Sequence, residues 1–242
     1  MEKTVTKAIT YRRSVRKYIE IPIDSDKVKQ CLENGALAPT SSNLQLWEFY
    51  HVTEKETLNK LAVACMNQNA AKTAQQMVVI VARRDLWRKH ARENVNYLNK
   101  VYDKPDLSEK LAKRKKLFLS YYQKLIPFLY TDVLGVLGYL KYLVFQLIGL
   151  FRPVYRQTRL SDMRIVAHKS AALAAQNFMI SMAAIGYDTC PMEGSDTLRV
   201  KKILQISGGA EITMVIACGI RDETGVYGPR FRVPFEQVYH II

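Results

Sequence analysis

Apolar positions recur along the chain with two different periods, and each period predicts its own kind of element. Over residues 4–16, Val5, Ile9 and Tyr11 or Arg12 stand around a helical turn, so the segment reads as a helix ending in a basic cluster. A second helix opens where Asp24 and Ser25 can cap it, carries Val28, Leu32, Ala36 and Leu37 at helical spacing, and stops at Pro39. A polar loop over 40–45 leads to the aromatic run 47–52, which has the length of a strand. Residues 54–66 return to the helical period behind Thr53 as a cap, and 77–82 are continuously apolar, the pattern of a buried strand. Residues 165–185 make a long Ala-rich helix ended by Gly186, a residue suited to a left-handed C-cap. A short helix over 198–206, a buried strand over 212–220 and an extended tail over 233–242 complete the pattern, with no internal repeat.

Between these halves, residues 83–162 change character. A Lys- and Tyr-rich stretch leads to an apolar one, 133–151, followed by Arg152, Arg156, Arg159 and Arg164. We read 83–162 as a mainly helical insertion into a core made of 1–82 and 163–242. The apolar stretch has the length of a membrane span, but Lys141 at its centre argues against one. A buried lid helix packed over the dimer is the preferred reading. An interfacial helix touching anionic lipid through 133–151 is its rival.

Composition narrows the class. With 48% apolar and 24% charged residues, the chain has the make-up of a folded globular protein, large enough at 242 residues to enclose an enzyme-sized site. Cys31, Cys65, Cys190 and Cys218 form no Cys-x-x-Cys pair, which argues against a zinc site or a disulfide framework and for a reducing, cytoplasmic setting. Glu2, Lys3, Thr4 and Lys7 leave no room for a secretory signal. The net charge of +14 is concentrated: residues 83–164 hold 18 Lys/Arg against 7 Asp/Glu. A basic nucleic-acid- or membrane-binding protein is therefore a second class to weigh.

Three segments carry candidate chemistry. In 11–18, Arg12, Arg13 and Arg16 with Ser14 offer guanidinium forks and a hydroxyl suited to phosphate, although a solvated basic helix end has the same residues. In 38–49, Pro39, Thr40, Ser41, Ser42, Asn43 and Gln45 can present donors and acceptors to a heterocycle, as they can also make a plain turn. In 190–196, Pro191, Met192, Glu193 and Gly194 read as a loop whose glycine allows close backbone approach. His51, His90, His168 and His240 are isolated, and no nucleophile triad is legible.

In this order and spacing, RRSVRKY, APTSSN-x-Q-x-W and P-M-E-G resemble the FMN-dependent nitroreductase family, on both sides of the insertion. The family's commoner Q-P-W reads Gln45-Leu46-Trp47 here. The resemblance implies an α+β fold, a three-layer α/β/α sandwich working as a homodimer. It implies hydride transfer from NAD(P)H through FMN to a small electron-poor acceptor such as a nitroaromatic or quinone, with no nucleic-acid partner and no metal. A reductive dehalogenase or a flavin-destroying oxidase of the same superfamily is the neighbouring alternative. By the same resemblance, Arg12 and Ser14 with Arg16 hold the FMN phosphate and ribityl chain, and Arg13 occupies the adjoining position. The 39–43 loop comes from the partner subunit, residues 191–194 face the flavin edge, Asn67 or Gln68 contacts the ring, and Arg230 and Arg232 return to the phosphate. The protein itself supplies no catalytic nucleophile.

Overall fold

The computed structural model describes residues 2–133 and 135–242. Four strands, β1 (Trp47–Val52), β2 (Gln76–Ala82), β3 (Asp188–Met192) and β4 (Glu211–Gly219), form one antiparallel sheet in the order β1-β2-β4-β3. Central β2 is buried along its whole length, and its side chains alternate between two apolar clusters: Val78, Ile80 and Ala82 enter one, Met77, Val79 and Val81 the other. Because helices cover both faces, neither set meets water, and the sequence reads as an unbroken apolar run. One buried polar side chain, Gln76, is fully engaged: Nε2 donates to Ile23 O (2.8 Å) and Ser25 Oγ (2.9 Å), and Oε1 meets His51 Nε2 at 2.7 Å.

On one face lie α2 (Ser25–Ala36) and the 25-residue α9 (Leu160–Ala184); on the other lie α3 (Lys55–Ala64), α4 (Asn69–Thr73) and α10 (Thr197–Ile203). The result is the expected α+β three-layer sandwich. Small residues set the spacing of the first layer. A Cβ on Gly35 would stand 3.1 Å from Ala174 O, so α2 lies directly on the alanine stripe of α9. Asp24 accepts from Asp26 N (2.9 Å) and Lys27 N (3.3 Å) to cap α2.

Several boundaries differ from expectation for identifiable reasons. The first helix, α1 (Val5–Tyr11), stops before the arginines, because the chain from Arg12 onward is extended and spends its backbone on the edge of β3. There Ser14 bridges Thr189, Val15 N donates to Thr189 O (3.2 Å) and Arg16 N donates to Gly225 O (2.7 Å). The 190–196 segment is not wholly a loop. Cys190, Pro191 and Met192 belong to β3, a five-residue strand whose one full-length partner is β4; on its other side the Ser14 bridge reaches only Thr189 and stops short of Pro191. Helix α9 begins at Leu160 rather than 165, its first turn held by the Asp162 carboxylate, which accepts from Arg159 N (3.0 Å) and Nε (3.1 Å).

Residues 83–162 carry α5 (Trp87–Val101), α6 (Glu109–Ser120), α7 (Ile126–Tyr130) and α8 (Val136–Ile148), with α6 passing into α7 through a π-helical turn, Tyr121–Leu125. Leu134, within the apolar stretch, lies outside the described residues. Helix α8 is inside out. Leu140, Leu143, Val144 and Leu147 are exposed, whereas Lys141 turns inward and donates to Phe128 O (2.8 Å) and Thr131 O (2.9 Å) at the end of α7. Within one chain the apolar face of this helix points outward, so a lid packed over the dimer would need the partner subunit to cover it. Among the described residues no helix is long and apolar enough to cross a membrane.

Candidate functional site

The extended run after α1 brings Arg12, Arg13, Ser14 and Arg16 against the returning C-terminal segment, where Arg230 and Arg232 complete the lining of a cavity of about 170 Å³. Backbone carbonyls hold the frame: Arg230 Nη2 donates to Thr10 O (2.8 Å) and Arg12 O (2.6 Å), and Arg13 Nη2 donates to Gly228 O (2.9 Å). Gly228 has φ +78°, a turn that suits glycine. None of the five arginines is paired with a carboxylate among the described residues. The Arg12 side chain makes no hydrogen bond there, and burial, then the charges of Arg230 and Arg232, push its pKa down. Such a cage is complementary to a multiply charged oxyanion.

The position of Arg12 is set from below. Buried Asp188 accepts from Arg221 N (2.9 Å) and Nε (3.0 Å), and the Arg221 guanidinium lies 4.1 Å from the centre of the Tyr11 ring. The end of α1 is thereby tied to the start of β3.

A second line of residues leads away from the cage. The Arg16 guanidinium sits 5.4 Å from the Tyr227 ring centre, Tyr227 OH accepts from Asn69 Nδ2 (3.1 Å), and Gln68 Nε2 donates to Gly194 O (2.8 Å) and Cys65 O (3.0 Å). Met66 and Asn67 have φ of 58° and 53°, so the chain turns sharply to present Asn67 and Gln68 beside the end of β3. The structure thus brings Asn67, Gln68, Met192, Glu193 and Gly194 into one neighbourhood that adjoins the arginine cage. Asn69 and Tyr227 join them, unanticipated from sequence. Their only signals were an amide next to the 67–68 pair and an aromatic two residues before Pro229.

The third segment is elsewhere. Residues 39–45 lead into β1, at one edge of the sheet, while the cage sits beside β3, at the other edge. Three strand spacings, about 14 Å, separate the two edges, and no hydrogen bond among the described residues joins this loop to the cage. The loop is strained: Ser42, Asn43 and Gln45 have φ of 55°, 48° and 49°. Each such non-glycine residue costs roughly 1–3 kcal/mol and persists only where its surroundings hold it. Here α5 and the π-helical turn hold it. Tyr122 OH donates to Ser42 O (3.0 Å), Tyr121 OH and Ser42 Oγ meet at 2.6 Å, and Asn94 and Asn43 exchange two bonds of 3.0 Å. His90 Nδ1 lies 2.6 Å from Leu44 O; a carbonyl can only accept, so this nitrogen carries the proton. Within the loop Thr40 Oγ1 accepts from Gln45 N (3.1 Å), while Ser41 N donates to Ser170 Oγ (3.4 Å) on α9, and Pro39 marks the entry from α2.

The cysteines take no part in this chemistry. All four are buried; burial pushes Cys31 and Cys65 up to about 11, and Cys190 is also raised by burial although Arg16 and Arg12 pull it the other way. Among the described residues no group of His, Cys, Asp and Glu could hold a metal ion.

Residues 9–220 match the model of the Nitroreductase family. MhqN of Bacillus subtilis, provisionally named an NAD(P)H nitroreductase, is 25% identical over 236 residues, covering 96% of each chain. Among solved structures, ydfN of Bacillus subtilis, provisionally described as a nitroreductase, superposes with a TM-score of 0.73 at 22% identity, covering 98% of both chains. A protein from Exiguobacterium sibiricum, likewise described and solved in complex with FMN, gives 0.67 at 19% identity, covering 99% of this chain and 98% of the other.

Proposed function

Because the chain belongs to the nitroreductase family, we propose that it is an FMN-dependent oxidoreductase that passes reducing equivalents from NAD(P)H to a small electron-poor acceptor, such as a nitroaromatic or a quinone. One observation carries the reading: five arginines converge on a single cavity with no carboxylate among the described residues to neutralise them, which the phosphate of FMN would do. Arg12, Ser14 and Arg16 are the groups to hold that phosphate and the ribityl chain, with Arg13, Arg230 and Arg232 closing around them. The FMN complex of the Exiguobacterium protein and the NAD(P)H in the name of MhqN support the same assignment.

Bound FMN supplies the hydride chemistry. The chain's own work is to seat and orient the ring. Gly194, with no Cβ, lets a flat heterocycle approach the end of β3, and Gln68 keeps that turn in place through its bond to Gly194 O. Pro191, Met192, Glu193 and Asn67 complete that wall.

The working unit in this proposal is a homodimer, in which the 39–45 loop of one chain, with Thr40, Ser41, Ser42, Asn43 and Gln45, meets the cage of the other. The separation of the two half-sites across the sheet within one chain favours it. So do the exposed apolar side chains of Val5, Ile9 and Leu173 and of the tail, where Phe235, Val238 and Ile241 stand in solvent. The outward face of α8, in a segment of strongly positive charge, further suits peripheral contact with anionic lipid. Salt-sensitive pelleting with phosphatidylglycerol vesicles tests that contact, and a protein that stays in the supernatant refutes it.

The visible spectrum of the purified protein tests the main proposal. We expect the two bands of an oxidised flavin, release of FMN on denaturation, and oxidation of NADH or NADPH that accelerates with added quinone. A colourless protein that takes up no added FMN would overturn it.

A further inference from the structure

A groove of about 360 Å³ runs along α5, between that helix and a wall made by the π-helical turn and α7. Trp87, Ala91 and Val95 share one face of α5 at four-residue spacing and, with Pro127 opposite, give the groove an apolar floor about 12 Å long. Arg88 and Arg92 form the neighbouring row, again four residues apart, and line the same groove. No Asp or Glu does. Both arginines are exposed, and among the described residues neither forms an ion pair; the Arg88 guanidinium rests 4.9 Å from the centre of the Trp87 ring.

This is a different kind of basic site from the five-arginine cage. The cage gathers its cations around one cavity, which suits a multiply charged oxyanion. Here two cations flank a floor of ring and alkyl surface, which suits a single carboxylate on a flat apolar body: the guanidinium forks bond the carboxylate, and Trp87 offers the ring a packing partner. The volume is that of a small-ligand pocket. No residue of the cage or of the 39–45 loop lines the groove, so its ligand needs no reducible group.

The two walls are also the two supports of the strained loop. From α5, His90 Nδ1 donates to Leu44 O and Asn94 Nδ2 donates to Asn43 O (3.0 Å). From the π-helical turn Tyr122, itself part of the groove wall, donates through OH to Ser42 O (3.0 Å). A ligand lodged between the walls ties these supports to each other.

We propose that this groove is an effector site for a small aromatic carboxylate, held by Arg88 and Arg92 over the Trp87 stripe, and that its occupancy tightens the hold on residues 42–44. The inference goes beyond the flavin reading, and neither part of it requires flavin.

Equilibrium dialysis of the full-length protein as purified, at neutral pH, against 2-naphthoate and 2-naphthamide tests the site. These probes differ in charge and hardly in shape. The wild type should prefer the carboxylate by about fivefold to tenfold, the gap between a charge-assisted and a neutral hydrogen bond. Arg88→Gln/Arg92→Gln should abolish that preference with an unchanged melting temperature, since both side chains are exposed and unpaired among the described residues. Val95→Trp should fill the groove and exclude both probes. Arg12→Gln, in the cage, should keep the wild-type preference. Amide hydrogen exchange across residues 42–45 should slow several-fold when 2-naphthoate is bound to wild type, and not when it is added to the double variant. A preference that survives Arg88→Gln/Arg92→Gln, or that disappears in Arg12→Gln, places the anion elsewhere and overturns the site. Bound 2-naphthoate that leaves exchange at 42–45 unchanged overturns the effector role.

Discussion

Replacing Arg12 with glutamine separates two roles that an arginine in a basic cluster can have. Without ligand, the Arg12 guanidinium makes no hydrogen bond among the described residues, is half-buried, and is repelled by Arg230 and Arg232. Its removal therefore forfeits no internal bond and relieves both burial of charge and repulsion, so the flavin-free Arg12→Gln protein should melt at the same temperature as wild type or higher. With FMN bound, the sign reverses. One charge-assisted hydrogen bond to phosphate is worth about 1.5–3 kcal/mol, or roughly a tenfold to hundredfold rise in Kd. The FMN-induced rise in melting temperature should shrink accordingly. Riboflavin, which shares the ring and lacks the phosphate, provides the control: fluorimetric titration should find its affinity unchanged in Arg12→Gln. The reasoning fails if the variant loses stability without ligand and keeps the wild-type ratio of FMN to riboflavin affinity, because Arg12 would then be a structural residue.

Four further outcomes follow from the geometry. Asp188→Asn leaves Arg221 without its counter-charge beneath Tyr11 and should cost about 3 kcal/mol, roughly 6–12 °C in melting temperature for a chain of this size; an unchanged thermal melt would show that the pair does not anchor α1. Tyr121→Phe removes one of the bonds that hold Ser42 and should speed FMN release several-fold in stopped-flow dilution, about 1 kcal/mol, whereas an unaltered rate would separate the inserted helices from the cofactor. Burial raises every cysteine above its ordinary range, so Ellman's reagent at pH 8 should label none until denaturant is added; one rapidly reacting thiol would contradict this. Hydrogen bonds from Thr224 and Lys17 hold the Asp222 carboxyl down at about 2 against an ordinary 3.8. Its stabilisation is therefore complete above 3.8 and lost as pH falls toward 2. Asp222→Asn should flatten the acid-unfolding curve over that window, and an identical curve would refute the assignment.

Strands with both faces buried and helices with a strong cap were legible in the sequence, because burial and capping leave local marks: β2 reads as an apolar run, and α2 opens at Asp24. β3 left no such mark. Its five residues include Pro191 and are stabilised by β4 on one side, a partner distant in sequence. The arginines of 12–16 were recognisable as a basic cluster suited to an anion, yet their backbone was misread as helical, since the bonds that extend it come from Thr189 and Gly225. The inward turn of Lys141 was similarly hidden. A central lysine looks like the solvent side of a helix until the open carbonyls of α7 are placed beneath it. The clasp on residues 42–44 depends on Asn94, Tyr121 and Tyr122, which have no motif of their own and gain their role only through tertiary contact.

That clasp bears on how such a protein can diversify. Because the left-handed backbone at Ser42 and Asn43 is held from α5 and the π-helical turn, a chimera that replaced those helices would leave it without its clasp unless the same contacts were supplied. Any exchange that preserves the turn must carry the contacts of His90, Asn94, Tyr121 and Tyr122 across the junction as a set. Substitutions at His90, Asn94, Tyr121 or Tyr122 should therefore be felt at residues 42–44, whereas α6 and α8 make no hydrogen bond to that loop among the described residues.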